Sequence, residues 1–192
     1  MSVCSPFVPD AIGRITVCAD SGEYPTSATE RYEGKVIWDV SLESLLVYDG
    51  SNWFTLAEPV QSWTPSVANL TVGAGGSWSA GYHRSDGWID FFGTFTYGSG
   101  SAVGAGLTLT LPKTAASAIR VGQFSVGFYD SSVGGNYTGL CAAGTTTTVG
   151  LLAPNNATNP FGTALSSTVP FTWATGDLIS FSGRYRLAAR NT

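Results

Sequence analysis

The sequence predicts an all-β protein, a small N-terminal β-meander followed by an antiparallel, jelly-roll-like β-sandwich. Three observations carry this. Apolar residues alternate with small polar ones through most of the chain after residue 60, the two-residue period of half-buried strands. Clusters rich in Gly, Ser, Asn and Asp separate those runs at short intervals, as turns in a sandwich do. Charged residues make up only 11% of the 192 and glycines number 24, a charge-poor composition against the roughly 25% charged residues of an ordinary domain. Such a surface suits a β protein, or a subunit that covers much of itself in an assembly.

Taken in order, residues 1–30 hold little periodicity beyond a short alternating run, Arg14–Cys18, between Pro6, Pro9 and Pro25. Lys35–Val40 reads as a strand, Ser41–Ser44 as a turn and Leu45–Tyr48 as a second strand. Asp49-Gly50 supplies a tight turn, and Ser51–Phe54 returns as a third strand. Glu58–Gln61 is the expected junction, giving an N-terminal attachment region at 1–60 and a sandwich at 61–192. In the second part, Ser77–Arg84, Gly87–Tyr97, Leu107–Leu111, Arg120–Tyr129, Thr145–Leu152 and Asp177–Leu187 read as strands. Ile89, Phe91, Phe95 and Tyr97, then Phe124, Val126 and Phe128, then Ile179, Phe181, Tyr185 and Leu187 are the expected inward faces, and Leu107, Leu109 and Leu111 alternate with Thr108 and Thr110. Gly73–Gly76, Gly98–Gly100, Ser131–Gly135 and the longer Pro154–Thr163 stretch read as turns and loops, with at most one helical turn near Thr114–Ala118.

Charge is uneven. Residues 1–60 hold nine acids and three bases, the remainder four acids and six bases, within a net charge of −4. This balance argues against a duplex nucleic-acid partner, which a basic stripe would serve. No stretch approaches the roughly 20 apolar residues of a membrane-spanning helix, so no membrane insertion is expected. The first six residues carry no basic start or apolar run, so a route other than ordinary secretion is expected. Cys4, Cys18 and Cys141 share no CxxC spacing and read as reduced thiols, with a Cys4–Cys18 disulfide the open alternative.

Little in the sequence points to catalysis. His83 is the single histidine, which leaves a Ser-His-Asp triad or a zinc site without partners nearby. Asp86 and Asp90 lie four residues apart on one strand face, about 13 Å at strand rise, too far for a glycosidase pair. The Gly98–Gly104 stretch lacks phosphate-loop spacing and a following helix. No catalytic residue, cofactor or metal site is therefore expected. Aromatic residues remain, most of them expected in the core or at interfaces. Trp88 and Tyr137 are the candidate receptor or glycan contacts, the first opposite the inward side of its strand, the second after a glycine-rich turn.

The run from Arg31 to Trp53 resembles a module common in minor tail and tail-fibre proteins of tailed bacteriophages. The match rests on Trp38 and on the ending Tyr48-Asp49-Gly50-Ser51-x-Trp53. The turn departs from the family, with Ser41-Leu42-Glu43-Ser44 in place of the usual Asp-Thr-Gly. Trp63-Thr64-Pro65, Leu107–Pro112 and Pro170–Asp177 are similar to distal domains of actinobacteriophage minor tail proteins. The resemblance implies a virion component, usually a homotrimer. It would attach to other virion proteins through residues 1–60, with Trp38, Tyr48, Asp49, Gly50 and Trp53 as the attachment module, and hold its sandwich outward toward the host surface. It implies no cofactor. The alternatives are a capsid head-fibre or decoration protein, and a glycan-binding or glycan-degrading module.

Overall fold

A computed structural model describes residues 5–6, 15–26, 31, 33–85, 87–155 and 159–188. The protein is all-β, 54% strand and 2% helical, with a small sheet and a large curled antiparallel sheet that forms a β-sandwich. It divides into two compact units. One comprises the chain up to Gln61 together with His83–Gly87, the other Ser62–Tyr82 and the chain from Trp88 onward.

In the N-terminal unit, β1 (Ser5–Pro6), β2 (Thr16–Cys18), β3 (Val36–Asp39), β4 (Ser44–Tyr48) and β5 (Trp53–Ala57) are neighbours in that order. The meander expected at 34–54 is β3–β5, and β2 joins it in parallel, with Val17 opposite Trp38. Cys18, Ile37 and Leu46 form its small core, with Tyr24 and Trp53 packed against them. Cys18 is disulfide-bonded, which corrects the expectation of reduced thiols. Spacing along the chain gave no sign of this bond, because register between strands decides which sulfurs meet. Cys4 lies outside the described residues. Cys141 is a buried free thiol, placed between the Arg120 carbonyl and the Phe124 amide.

The N-terminal unit also takes the tip of a later hairpin. Ala57 pairs with Ser85, the Glu58 amide donates to the Arg84 carbonyl at 3.0 Å, and the Arg84 guanidinium lies 3.8 Å from the Glu58 carboxylate. Residues 83–87 therefore differ from the sandwich placement expected for everything after residue 60. Asp86 itself lies outside the described residues.

Beyond β5 come β6 (Gln61–Ser62), β7 (Val67–Thr71), β8 (Ser77–Ser85), β9 (Trp88–Thr96), β10 (Ala102–Thr110), β11 (Ser125–Asp130), β12 (Gly135–Cys141), β13 (Thr148–Asn155), β14 (Asn159–Ala164) and β15 (Leu178–Arg186), all in the second unit except Gln61 of β6 and His83–Ser85 of β8. Their order is β8-β9-β15-β11-β12-β13-β10-β7, with β6 on β8 and β14 on β13. The sheet curls at β13. Leu151 and Leu152 pair with β12, while Thr148–Gly150 pair with β10 and Leu152–Asn155 with β14. Between the two layers lie Ile89, Phe91, Phe95, Leu107, Leu109, Val126, Phe128, Val149, Ile179, Phe181 and Tyr185, all buried. The expected inward faces of β9, β11 and β15 are thus observed, and the leucines of β10 lie inward with them.

Two expectations differ. Pro154–Thr163 is not a long loop, since β13 continues to Asn155 and β14 begins at Asn159. Gly135–Cys141 is a full strand rather than the sequel of a turn.

Tyr185 shows how a core aromatic is held. It is buried, and its phenol donates to the Lys113 carbonyl at 2.8 Å and accepts from the Lys113 amide at 3.1 Å. Burial pushes its pKa upward, partly opposed by that backbone bond. Tyr185→Phe removes both bonds while keeping the ring, and should cost about 1 kcal/mol, read as a lower urea midpoint.

Candidate functional site

Two surfaces could meet another molecule, one in each unit. In the N-terminal unit the small sheet is apolar on both faces. Ile37, Leu46 and Trp53 serve its core, while the opposite face aligns Val36, Val47 and Phe54 in one row and Val17, Trp38 and Leu45 in the next. The β3–β4 turn continues it with Val40, 51% exposed, and Leu42, 48% exposed. Val17, Val36, Leu45, Val47 and Phe54 are half-buried, and Trp38, Val40 and Leu42 are the exposed part of this face among the described residues; an exposed apolar patch of this kind commonly marks an interaction site.

The Tyr48–Trp53 motif of the sequence is a structural turn beside that face. Gly50 adopts φ +94, a conformation that favours glycine. The Asp49 carboxylate accepts from the Ser51 and Asn52 amides at 2.9 and 2.7 Å, and the Tyr48 phenol donates to the Gly50 carbonyl at 2.9 Å. Trp53 packs its ring 5.3 Å from that of Tyr48 and 5.6 Å from that of Tyr24. Of the five motif residues, Trp38 projects onto the exposed face, and Tyr48, Asp49, Gly50 and Trp53 shape the turn and the core beneath it.

The turn after β3 is fixed by a buried acid. Asp39 is fully buried and accepts from the Tyr24 phenol at 2.5 Å, the Ser41 hydroxyl at 2.7 Å and the Leu42 amide at 2.7 Å. Burial works to push its carboxyl up, but these hydrogen bonds outweigh it and hold the pKa below the ordinary value. Burial and the neighbouring Asp39 push the Tyr24 phenol above its usual range.

An acid with a depressed folded pKa contributes stability that is present above its unfolded pKa and lost as pH falls through the folded one. Protection of the Ile37 and Leu46 amides from hydrogen exchange should therefore fall below about pH 4. Asp39→Asn should flatten that acid limb; an unchanged limb in the variant would refute the assignment.

In the sandwich, the outer face of β9-β15-β11-β12 is the second surface. Register sets its side chains in rows across the strands. Thr94 faces Ser180, Ser180 faces Gly127 and Gly127 faces Thr138; one row along, Phe92, Ser182, Ser125 and Leu140 line up. Phe92 is 46% exposed.

Trp88 lies on this face at the start of β9, 41% exposed. The Arg184 guanidinium sits 5.2 Å over its ring and 3.5 Å from the Asp90 carboxylate. Tyr137 is placed differently from the expectation of a surface contact. It pairs with the inward Phe128, is half-buried, and packs its ring 5.2 Å from Phe171. A glycine-rich turn precedes it, but strand parity sends it inward. Sequence reading missed Phe92 and the hydroxyl row; the alternation of β9 and β15 was the available signal, since it set those residues opposite the core.

The other buried acids are engaged in turns. Asp130 accepts from the Ser132 amide and hydroxyl, and Asp177 from the Ser131 amide and hydroxyl and the Ala174 amide. Among the described residues no cluster of three His, Cys, Asp or Glu side chains could hold a metal ion. Among the described residues no helix is long and apolar enough to cross a membrane. No family model matches the chain, and neither the curated proteins nor the solved structures include a match.

Proposed function

We propose that the chain is a structural, non-catalytic component of a tailed-phage virion, a homotrimer in the tail tip or tail fibre. It docks on other virion proteins through its N-terminal unit and turns its sandwich toward the host surface. The observation that carries this reading is the second apolar face of the small sheet. A small sheet with apolar side chains on both faces gains stability by covering both, and among the described residues Trp38, Val40 and Leu42 stay exposed on the second. The buried acids support the non-catalytic part, because Asp39, Asp130 and Asp177 direct their oxygens at turn amides and hydroxyls rather than toward a cleft.

Gold-labelled antibody against the purified chain, applied to the phage particles that carry its gene, tests the location. Label at the tail tip is expected. Label over the capsid faces identifies a head-fibre or decoration protein instead, and unlabelled particles refute a virion role. The mass of the purified chain in solution should be three times 20.0 kDa. Val40→Ser with Leu42→Ser should reduce incorporation into particles by about tenfold or more, as loss of central apolar contacts does. Its thermal midpoint should stay that of the parent, since both side chains are exposed.

A further inference from the structure

The outer face of the sandwich carries a groove whose chemistry is unusually uniform. A cavity of about 460 Å³ lies over β9, β15 and β11, and a second of about 450 Å³ adjoins it over β15, β11 and β12, the two sharing Gly127 and Ser180. Gly127 forms the floor where they meet. A Cβ there would stand 2.7 Å from the Ser180 hydroxyl, so any side chain would fill the groove at its middle. Phe92 stands at one end, and Tyr129 and Leu178 line the other.

No acidic or basic side chain lines either cavity. Ser180 donates a long hydrogen bond, 3.3 Å, to the Gly127 carbonyl. The hydroxyls of Thr94, Ser125, Ser182 and Thr138 make no hydrogen bond among the described residues, so each offers a donor and two acceptor sites to whatever enters.

The geometry points to a binding site for a neutral, linear oligosaccharide, lying across the strands from Phe92 toward Thr138. A charged glycan or an acidic peptide would find no counter-ion here. A neutral sugar presents what this groove matches, hydroxyls that both donate and accept and a CH face that packs on an aromatic ring. Four strands at about 4.8 Å per step span about 14 Å, room for roughly three hexose rings. Trp88, with Arg184 over one face of its ring, does not line this groove, and the groove names the ligand class for the outward face proposed above. It rests on that reading for its biological setting only.

The test is titration calorimetry of the full chain with maltotetraose, cellotetraose, chitotetraose and mannotetraose. At least one should bind with Kd below about 1 mM. Phe92→Ser and the pair Thr94→Val with Ser180→Ala should each weaken that binding by about tenfold or more, while Thr147→Ala leaves it unchanged. Circular dichroism and the thermal midpoint establish that each variant is folded.

Three results overturn the proposal. They are failure of all four sugars to bind, binding that persists in both groove variants, and self-association of the parent through this face that Phe92→Ser alone abolishes, which makes a second copy the occupant. Sugar binding needs no particle and antibody labelling needs no sugar, so failure here is distinguishable from failure of the virion assignment.

Discussion

Phe181→Ala is expected to lower the stability of the sandwich by about 3–5 kcal/mol. Phe181 sits in β15 at the centre of an aromatic cluster, with ring centroids 5.9 Å from Phe91, 6.0 Å from Trp63 and 6.1 Å from Trp78. Its ring also occupies the space that Gly93 leaves open on β9, where a Cβ would lie 2.5 Å from the ring edge. Truncation therefore removes the contacts of four partners at once, and neighbouring β-strands cannot close the gap without losing register. At about 2–4 °C per kcal/mol for a chain of this size, the thermal midpoint should fall by roughly 6–20 °C. A fall under 2 °C would show that the cluster collapses around the cavity. Phe181→Leu should cost less than half as much, since it keeps most of the volume.

The same residue shows what was legible in the sequence. Ile179, Phe181, Tyr185 and Leu187 alternate with Ser180, Ser182, Arg184 and Arg186, and a two-residue period on one strand fixes which side meets the core. That is why β9, β11 and β15 could be read with their faces. β12 could not, because its inward side includes Gly139. A Cβ at that glycine would stand 2.2 Å from the Leu152 carbonyl oxygen and 2.6 Å from the Phe128 ring. Close packing removed the apolar side chain that would have signalled a strand, and Tyr137 was left looking like a turn residue. β14 carries Pro160 and Gly162, which read as loop signals in the sequence, and what defines it is its pairing with β13.

The two candidate surfaces differ for the same reason. Trp38 is visible as an aromatic next to a recognisable turn. The groove is invisible, because serines, threonines and one glycine on four strands become a site only when register aligns them.

Register also decides the second large effect. Asp177→Ala should cost about 3–4 kcal/mol, the sum expected for losing an acid that three donors share. Asp177 is fully buried immediately before β15. It accepts from the Ser131 amide at 2.9 Å and hydroxyl at 2.8 Å, just after β11, and from the Ala174 amide at 2.6 Å. Alanine removes the acceptor of the Ser131 and Ala174 amides and leaves the Ser131 hydroxyl only its long bond to the Thr175 carbonyl, 3.4 Å. Asparagine restores one oxygen but turns an NH₂ toward one set of amides, so Asp177→Asn should recover only part of the loss.

The clamp joins the end of β11 to the start of β15, next to the Tyr129–Leu178 pair. That pair lines one end of the groove, and two residues along Gly127 faces Ser180 at its middle. A one-residue slip would send Ser180 inward and Phe181 outward. Asp177→Ala should therefore raise hydrogen exchange at Ser131 and Ala174 first, and weaken sugar binding more than its distance from the groove would imply. Faster exchange at these amides with binding unchanged would mean that the β11–β15 ladder holds its register without the clamp.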